Sequence, residues 1–232
     1  MKGLKTHIAL LATLLATLLA GMAACNDSGD HLATARYRYD MVTYKGYADG
    51  RATFEYIGRG DSAAITLQAS GLSKPQKIKE GQRVLLYYIV EAAPSENLRT
   101  VKAKGYTYSN VASDTLRVNP LGKAVSDYKM HPVKLHSLWK TGDYLNMRAE
   151  VEYTTRQRML YLLADRNSLD SDTVHCYLVH DLMEAGDTTY FWRTCYGSFY
   201  TGNALQRPNC RVLRIHVNDE INPKVNHYDF AK

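Results

Sequence analysis

Polar and apolar residues alternate with a period of two along most of this chain, the pattern of strands that bury one face. Between Arg36 and Met41, the residues Tyr37, Tyr39 and Met41 interleave with Arg36, Arg38 and Asp40. Ala48-Asp49-Gly50 supplies turn chemistry, and in Arg51 to Ile57 the residues Ala52, Phe54 and Tyr56 alternate with Arg51, Thr53 and Glu55, so a hairpin is expected. After Gly58-Arg59-Gly60-Asp61 comes a strand at Ala63 to Gln68, then a basic loop with Pro75. Lys79-Glu80-Gly81 then turns into Arg83 to Val90 (RVLLYYIV), apolar on both faces and so expected to be a central strand. Tyr106 to Ser109 and Thr115 to Val118 complete five or six strands, the count of a small closed barrel.

Asn119 to Gly142, interrupted by Pro120, Gly122 and Pro132, reads as the boundary between two domains, with Leu135, Leu138 and Trp139 pinning it to one of them. Beyond it Met147, Ala149, Val151 and Tyr153 alternate with Arg148, Glu150 and Glu152. Strands near Met159 to Ala164, Thr173 to His180, Thr189 to Tyr196 and Arg211 to Val217 follow. In the last, Leu213, Ile215 and Val217 face inward and Arg214 and His216 outward. That spacing predicts a β-sandwich. The expected fold is therefore all-β, a barrel over residues 36–120 followed by a sandwich over residues 121–232. Length alone also permits one large β domain.

The N-terminus follows a different pattern. Lys2 and Lys5 precede Ile8 to Ala20 (IALLATLLATLLA), uncharged and apolar on every face. As a helix this run spans roughly 20 Å, short of the bilayer core's roughly 30 Å, which fits a secretory leader rather than a membrane span. Gly21-Met22-Ala23-Ala24-Cys25 resembles a bacterial lipobox, with Met22 in the place of the usual Leu. The expectation is a signal peptide over residues 1–24, lipid on Cys25 and a polar tether over residues 25–35. It places the chain at the cell envelope, anchored by lipid, with the outer membrane's periplasmic or surface face as the expected location.

Composition narrows the partners. Lys2 and Lys5 are the leader's only charges, so the 29 basic residues fall to 27 against 23 acidic, a formal +4 spread over a long chain. No nucleic-acid binding is expected from that balance in that compartment. Tyrosine stands out, at 18 against four Phe and two Trp. With Cys25 consumed by lipid, Cys176, Cys195 and Cys210 remain, enough for one bridge and a thiol left over.

Cys25, the stretch from Ile65-Thr66-Leu67 to Gly81-Gln82-Arg83-Val84, Trp139 to Tyr144 (WKTGDY), and Leu178 to Asp187 with its Gly186-Asp187 turn together resemble the NigD-like lipoproteins. The resemblance implies an N-terminal OB-like barrel and a C-terminal β-sandwich behind a lipidated cysteine. It implies a bacteriocin-immunity role for one member at best, and no catalytic residues.

No residue pattern points to catalysis, metal or cofactor. His175 and His180 lie five apart on a strand and face opposite ways; His131 and His136 share that spacing in an irregular segment. No GxSxG elbow is present to arrange a nucleophile. If Ala185-Gly186 is a two-residue hairpin loop, Cys176 falls opposite Cys195, and a cross-strand disulfide can form with Cys210 free; three separate thiols are the alternative. Tyr37, Tyr39, Tyr44, Tyr87, Tyr88, Tyr106 and Tyr108 belong to barrel strands or their ends. Core packing accounts for some, while Tyr37, Tyr39, Tyr87 and Tyr106 are the candidates for a ligand face. Lys74, Lys77, Lys79 and Arg83 form either a solvated basic loop or a grip for acidic ligands. The resulting expectation is a monomeric, non-enzymatic module binding a peptide, a protein or a glycan. An immunity lipoprotein and an envelope hydrolase are the alternatives.

Overall fold

Alternation in the first half of the chain does close into a barrel. The computed structural model describes residues 37–60, 63–91, 99–153, 158–182 and 191–232; the leader, Cys25, the tether and Ala185-Gly186 lie outside these. Strands β1 (Arg38–Ala48), β2 (Arg51–Tyr56), β3 (Ile65–Ser70), β4 (Arg83–Val90) and β5 (Thr100–Asn110) close in the order β1-β2-β3-β5-β4. Closure leaves none of the five with a free edge. Val42, Tyr44, Phe54, Leu67, Leu86, Tyr88 and Val101 fill its interior. The β1–β2 turn has positive φ at both Asp49 (50°) and Gly50 (73°), the backbone of a tight hairpin turn that Asp-Gly adopts readily.

The barrel ends earlier than alternation suggests. Strands β6 (Ala112–Thr115) and β7 (Arg117–Val118) both leave it, β6 pairing parallel with β12 (Phe191–Tyr200) and β7 parallel with β10 (Met159–Ala164). Leu116, 3% exposed between them, is where the chain steps from one sheet of the sandwich to the other. The sandwich thus begins at Ala112 rather than residue 121. Alternation marks a strand but not its partner, which is why Thr115 to Val118 reads as a single barrel strand in sequence.

The supposed boundary segment is also more ordered than its prolines imply. A 3-10 turn at Val125–Asp127 precedes a full strand, β8 (Val133–Thr141). With β9 (Tyr144–Tyr153), β11 (Thr173–Asp181), β13 (Val212–His216) and β14 (Tyr228–Ala231), the sheets read β6-β12-β9-β8 and β14-β13-β11-β10-β7. Leu135, Met147, Ala149, Val151 and Phe199 from the first sheet meet Leu162, Val174, Leu178, Leu213 and Ile215 from the second.

The cross-strand disulfide is overturned by this topology. β11 pairs with β10 and β13 and β12 with β9, so Cys176 lies beside Ala164 and Ile215 and Cys195 beside Ala149, in different sheets. Cys176, Cys195 and Cys210 are all free thiols. The register arithmetic required consecutive strands to pair, whereas β11 and β12 lie in different sheets.

Barrel and sandwich belong to one compact unit, Tyr37–Lys232. The outward face of β1 and β4 packs on the outward face of the four-stranded sheet, where Met41, Leu85 and Val111 meet Trp139 and Tyr196. Beside this apolar contact Arg83, 5% exposed, crosses the joint. Its Nε donates to Ser198 Oγ (2.9 Å), Nη1 to Thr43 Oγ1 (3.2 Å) and Nη2 to Asn146 Oδ1 (3.1 Å). Arg83 is therefore no part of the basic loop, whose Lys74, Lys77 and Lys79 are exposed.

Candidate functional site

The outward face of the barrel is only half used by this joint. Along β1 the inward Val42 fixes Tyr37, Tyr39 and Met41 on the outside; Met41 goes to the joint and both tyrosines stay in solvent, 58% and 63% exposed. Tyr39 lies directly opposite Tyr87 of β4. On β5, Thr107 pairs with Tyr87 and Gly105 with Tyr88, so Tyr106 is the extra residue of a bulge and joins its neighbours on the outer face.

The structure thus brings Tyr37, Tyr39, Tyr87 and Tyr106 into one cluster. Tyr39 and Tyr87 stack with centroids 4.4 Å apart; Tyr37 is 5.0 Å from Tyr87 and 5.4 Å from Tyr106, which is itself 5.4 Å from Tyr87. Packing of ring on ring strips water from the phenols of Tyr87 and Tyr106 and, with repulsion from neighbouring hydroxyls, raises both above the ordinary tyrosine value. The other barrel tyrosines serve the core: Tyr44 and Tyr88 are buried and Tyr108 packs against them.

Tyr39 also forms the lip of a cleft of about 410 Å³ between barrel and sandwich. Tyr56 and Tyr39 line its barrel side, Trp139 and Tyr196 its sandwich side, and Arg59 and Arg148 reach in from either wall. Its one carboxylate among the described residues is Asp40, which accepts a 2.9 Å hydrogen bond from the Tyr88 hydroxyl. Burial raises the Asp40 pKa against the opposing pull of that hydrogen bond and of Arg38. Neither the Arg59 nor the Arg148 side chain has a hydrogen-bond or ion-pair partner among the described residues. Sequence reasoning missed this cleft because its two walls are far apart in the chain. Only the apolar outward Trp139 hinted at a second contact surface.

The histidines are scattered differently from either proposed pair. His131 Nδ1 lies 2.9 Å from the His180 carbonyl and His136 Nε2 lies 3.1 Å from Glu150 Oε1, so those two serve separate partners. His180 is buried, whereas His175 is half-buried and sits with its Nδ1 3.0 Å from His216 Nε2. That contact arises because parallel pairing puts β11 beside β13, a neighbourhood that spacing cannot reveal. No group of three or more metal-ligating side chains occurs among the described residues.

No family model matches the chain and no curated protein matches it in sequence. Solved structures do match. A NigD-like immunity protein from Bacteroides caccae aligns with a TM-score of 0.56 at 19% identity, over 84% of this chain and 92% of that one. The chain has the NigD-like fold. A protein of unknown function from Bacteroides vulgatus aligns at TM-score 0.63 and 14% identity, over 85% of this chain and 90% of that one. A candidate lipoprotein of Bacteroides fragilis aligns at 0.55 and 10%, over 85% and 96%. At these identities the likeness is one of fold, the all-β barrel and sandwich expected from the sequence.

Proposed function

We propose that this protein is a non-enzymatic, lipid-anchored module of the cell envelope that binds a ligand on its tyrosine face and in the cleft beside it. The observation that carries the binding role is the cluster of four tyrosines, three of them exposed large aromatics, left open beside an interface that buries the rest of the same face. Contiguous aromatic surface of this kind is retained where something covers it. The envelope address rests on the leader and on Cys25 with its lipobox-like approach, and a candidate lipoprotein shares the fold.

Full-length protein with a C-terminal tag, used as bait in detergent-solubilised envelope, should enrich a species that the Tyr39→Ala/Tyr87→Ala double variant does not. Identical capture by both would remove the tyrosine face from the function. Mass spectrometry of the N-terminal peptide should show acylated Cys25; an unmodified thiol would remove the anchor.

A second reading, immunity against a bacteriocin, is favoured by the immunity protein of the same fold. It predicts that deleting the gene sensitises the producing cell to a co-encoded toxin, and unchanged killing curves would end it.

A further inference from the structure

We infer that the ligand is an acidic oligosaccharide, laid over the tyrosine cluster with its anionic groups against Arg59 and Arg148. This rests on the binding role proposed above and adds the ligand's chemistry.

The platform supplies the first reason. Four rings with neighbouring centroids 4.4–5.4 Å apart form an aromatic surface. The C–H faces of pyranose rings pack on such surfaces by dispersion and hydrophobic contact, while phenolic hydroxyls meet sugar hydroxyls. The adjoining cleft, about 410 Å³, lies within the usual range for a small-ligand site, about 300–1,000 Å³.

Charge supplies the second. Among the described residues Arg59 and Arg148 face the cleft without anionic partners, and the one carboxylate there is engaged by the Tyr88 hydroxyl. On the other side of the platform the Lys104 ammonium lies 5.7 Å from the Tyr106 ring centroid. Cations flanking an aromatic stripe suit a chain of linked anions, and an arginine fork matches a carboxylate or sulfate in two hydrogen bonds.

Backbone accessibility argues against the competing class. β1, β4 and β5 are each paired on both sides within the closed barrel, so the platform has no strand edge to which an extended peptide could add.

The test is calorimetric titration of the full chain with oligogalacturonate, with a chondroitin sulfate hexasaccharide, with a neutral galactan of matched length and with polyglutamate. An acidic sugar should bind, weaken as salt rises from about 50 to about 500 mM, and lose about tenfold in affinity in Arg59→Gln/Arg148→Gln. The Tyr39→Ala/Tyr87→Ala variant should abolish it with the far-UV circular dichroism unchanged. Neutral galactan bound as tightly as the acidic probes would overturn the charge requirement while leaving the tyrosine face as a sugar site. Polyglutamate bound in place of every sugar would overturn the carbohydrate class but not the face. Failure of all four probes would overturn this inference alone, since the envelope capture experiment judges the broader binding role separately.

Discussion

Replacing Arg83 with methionine perturbs the joint that holds the cleft open at its present shape. The guanidinium is 5% exposed and meets no carboxylate among the described residues; its partners are Ser198, Thr43 and Asn146, and its Cζ lies 4.4 Å from the Tyr144 ring centroid. Burial pulls its pKa down to about 10, against smaller upward pulls from Tyr144 and Glu55. From the ordinary value near 12.5, that fall amounts to about 3 kcal/mol against the buried cation. Three hydrogen bonds from a charged donor return about 1.5–3 kcal/mol each. The balance favours the native arginine by about 1.5–6 kcal/mol, so Arg83→Met should cost about 3 kcal/mol. Asn146 Oδ1 keeps its 2.8 Å bond from the Ser198 hydroxyl, which limits the damage. Arg83→Lys, with a compact ammonium in place of the fork, should recover less than half. Thr43 belongs to the barrel and Asn146 and Ser198 to the sandwich, so the loss falls on the joint rather than on either core. Urea unfolding followed by tryptophan fluorescence, with Trp139 at the joint as reporter, should show an earlier and broader transition. A methionine variant within about 0.5 kcal/mol of the parent would refute this account of the joint.

Asp219 accepts from the Leu135 N–H (3.1 Å), the Ile221 N–H (3.0 Å), Asn222 Nδ2 (3.1 Å) and the Tyr228 hydroxyl (3.0 Å). Burial alone would raise its pKa, but these donors outweigh it and hold the carboxyl below its ordinary value. Its stabilising effect is thus present above the ordinary carboxylate pKa and lost as pH falls through the lower folded value. Asp219→Ala should cost about 3 kcal/mol at pH 7 by thermal denaturation, with the gap to the parent narrowing below about pH 4. His180 and His216 are both lowered, chiefly by burial, so the unfolded chain takes up their protons first as pH drops below about 6.5. Stability should fall between about pH 7 and 5, and less so in His180→Gln; a flat pH profile in urea would contradict this. Burial also raises the thiols of Cys176, Cys195 and Cys210. Thiol titration should find all three after unfolding and the buried Cys176 and Cys210 unreactive in the native protein; recovery of only one would restore the disulfide.

Strand identity was legible because it is local. Alternation at Arg51 to Ile57 and at Met147 to Tyr153 gave both the element and its buried face, and Asp49-Gly50 gave the turn. Alternation misplaced Tyr37 and Tyr39, grouping them with Met41 as the apolar side of Arg36 to Met41, whereas Val42 turns inward and leaves both tyrosines in solvent; Tyr87 and Tyr106 read only as barrel-strand aromatics, without a phase. It failed at Thr115 to Val118, where two short strands belonging to different sheets are separated only by the buried Leu116. It failed again at Cys176 and Cys195, whose strands follow one another in sequence but pair elsewhere.

The sequence by itself determined that this chain is all-β, that it holds a barrel and a sandwich, and which side is wet in cleanly alternating strands such as β2 and β9. A side chain's face depends only on its place in a two-residue repeat. Tertiary structure alone decided which strands pair, that Arg83 turns inward to tie the two halves, and that Trp139, Tyr196, Arg59 and Arg148 converge beside the tyrosines. Those choices depend on which of several apolar faces bury each other best, a property of the whole chain that no local window contains.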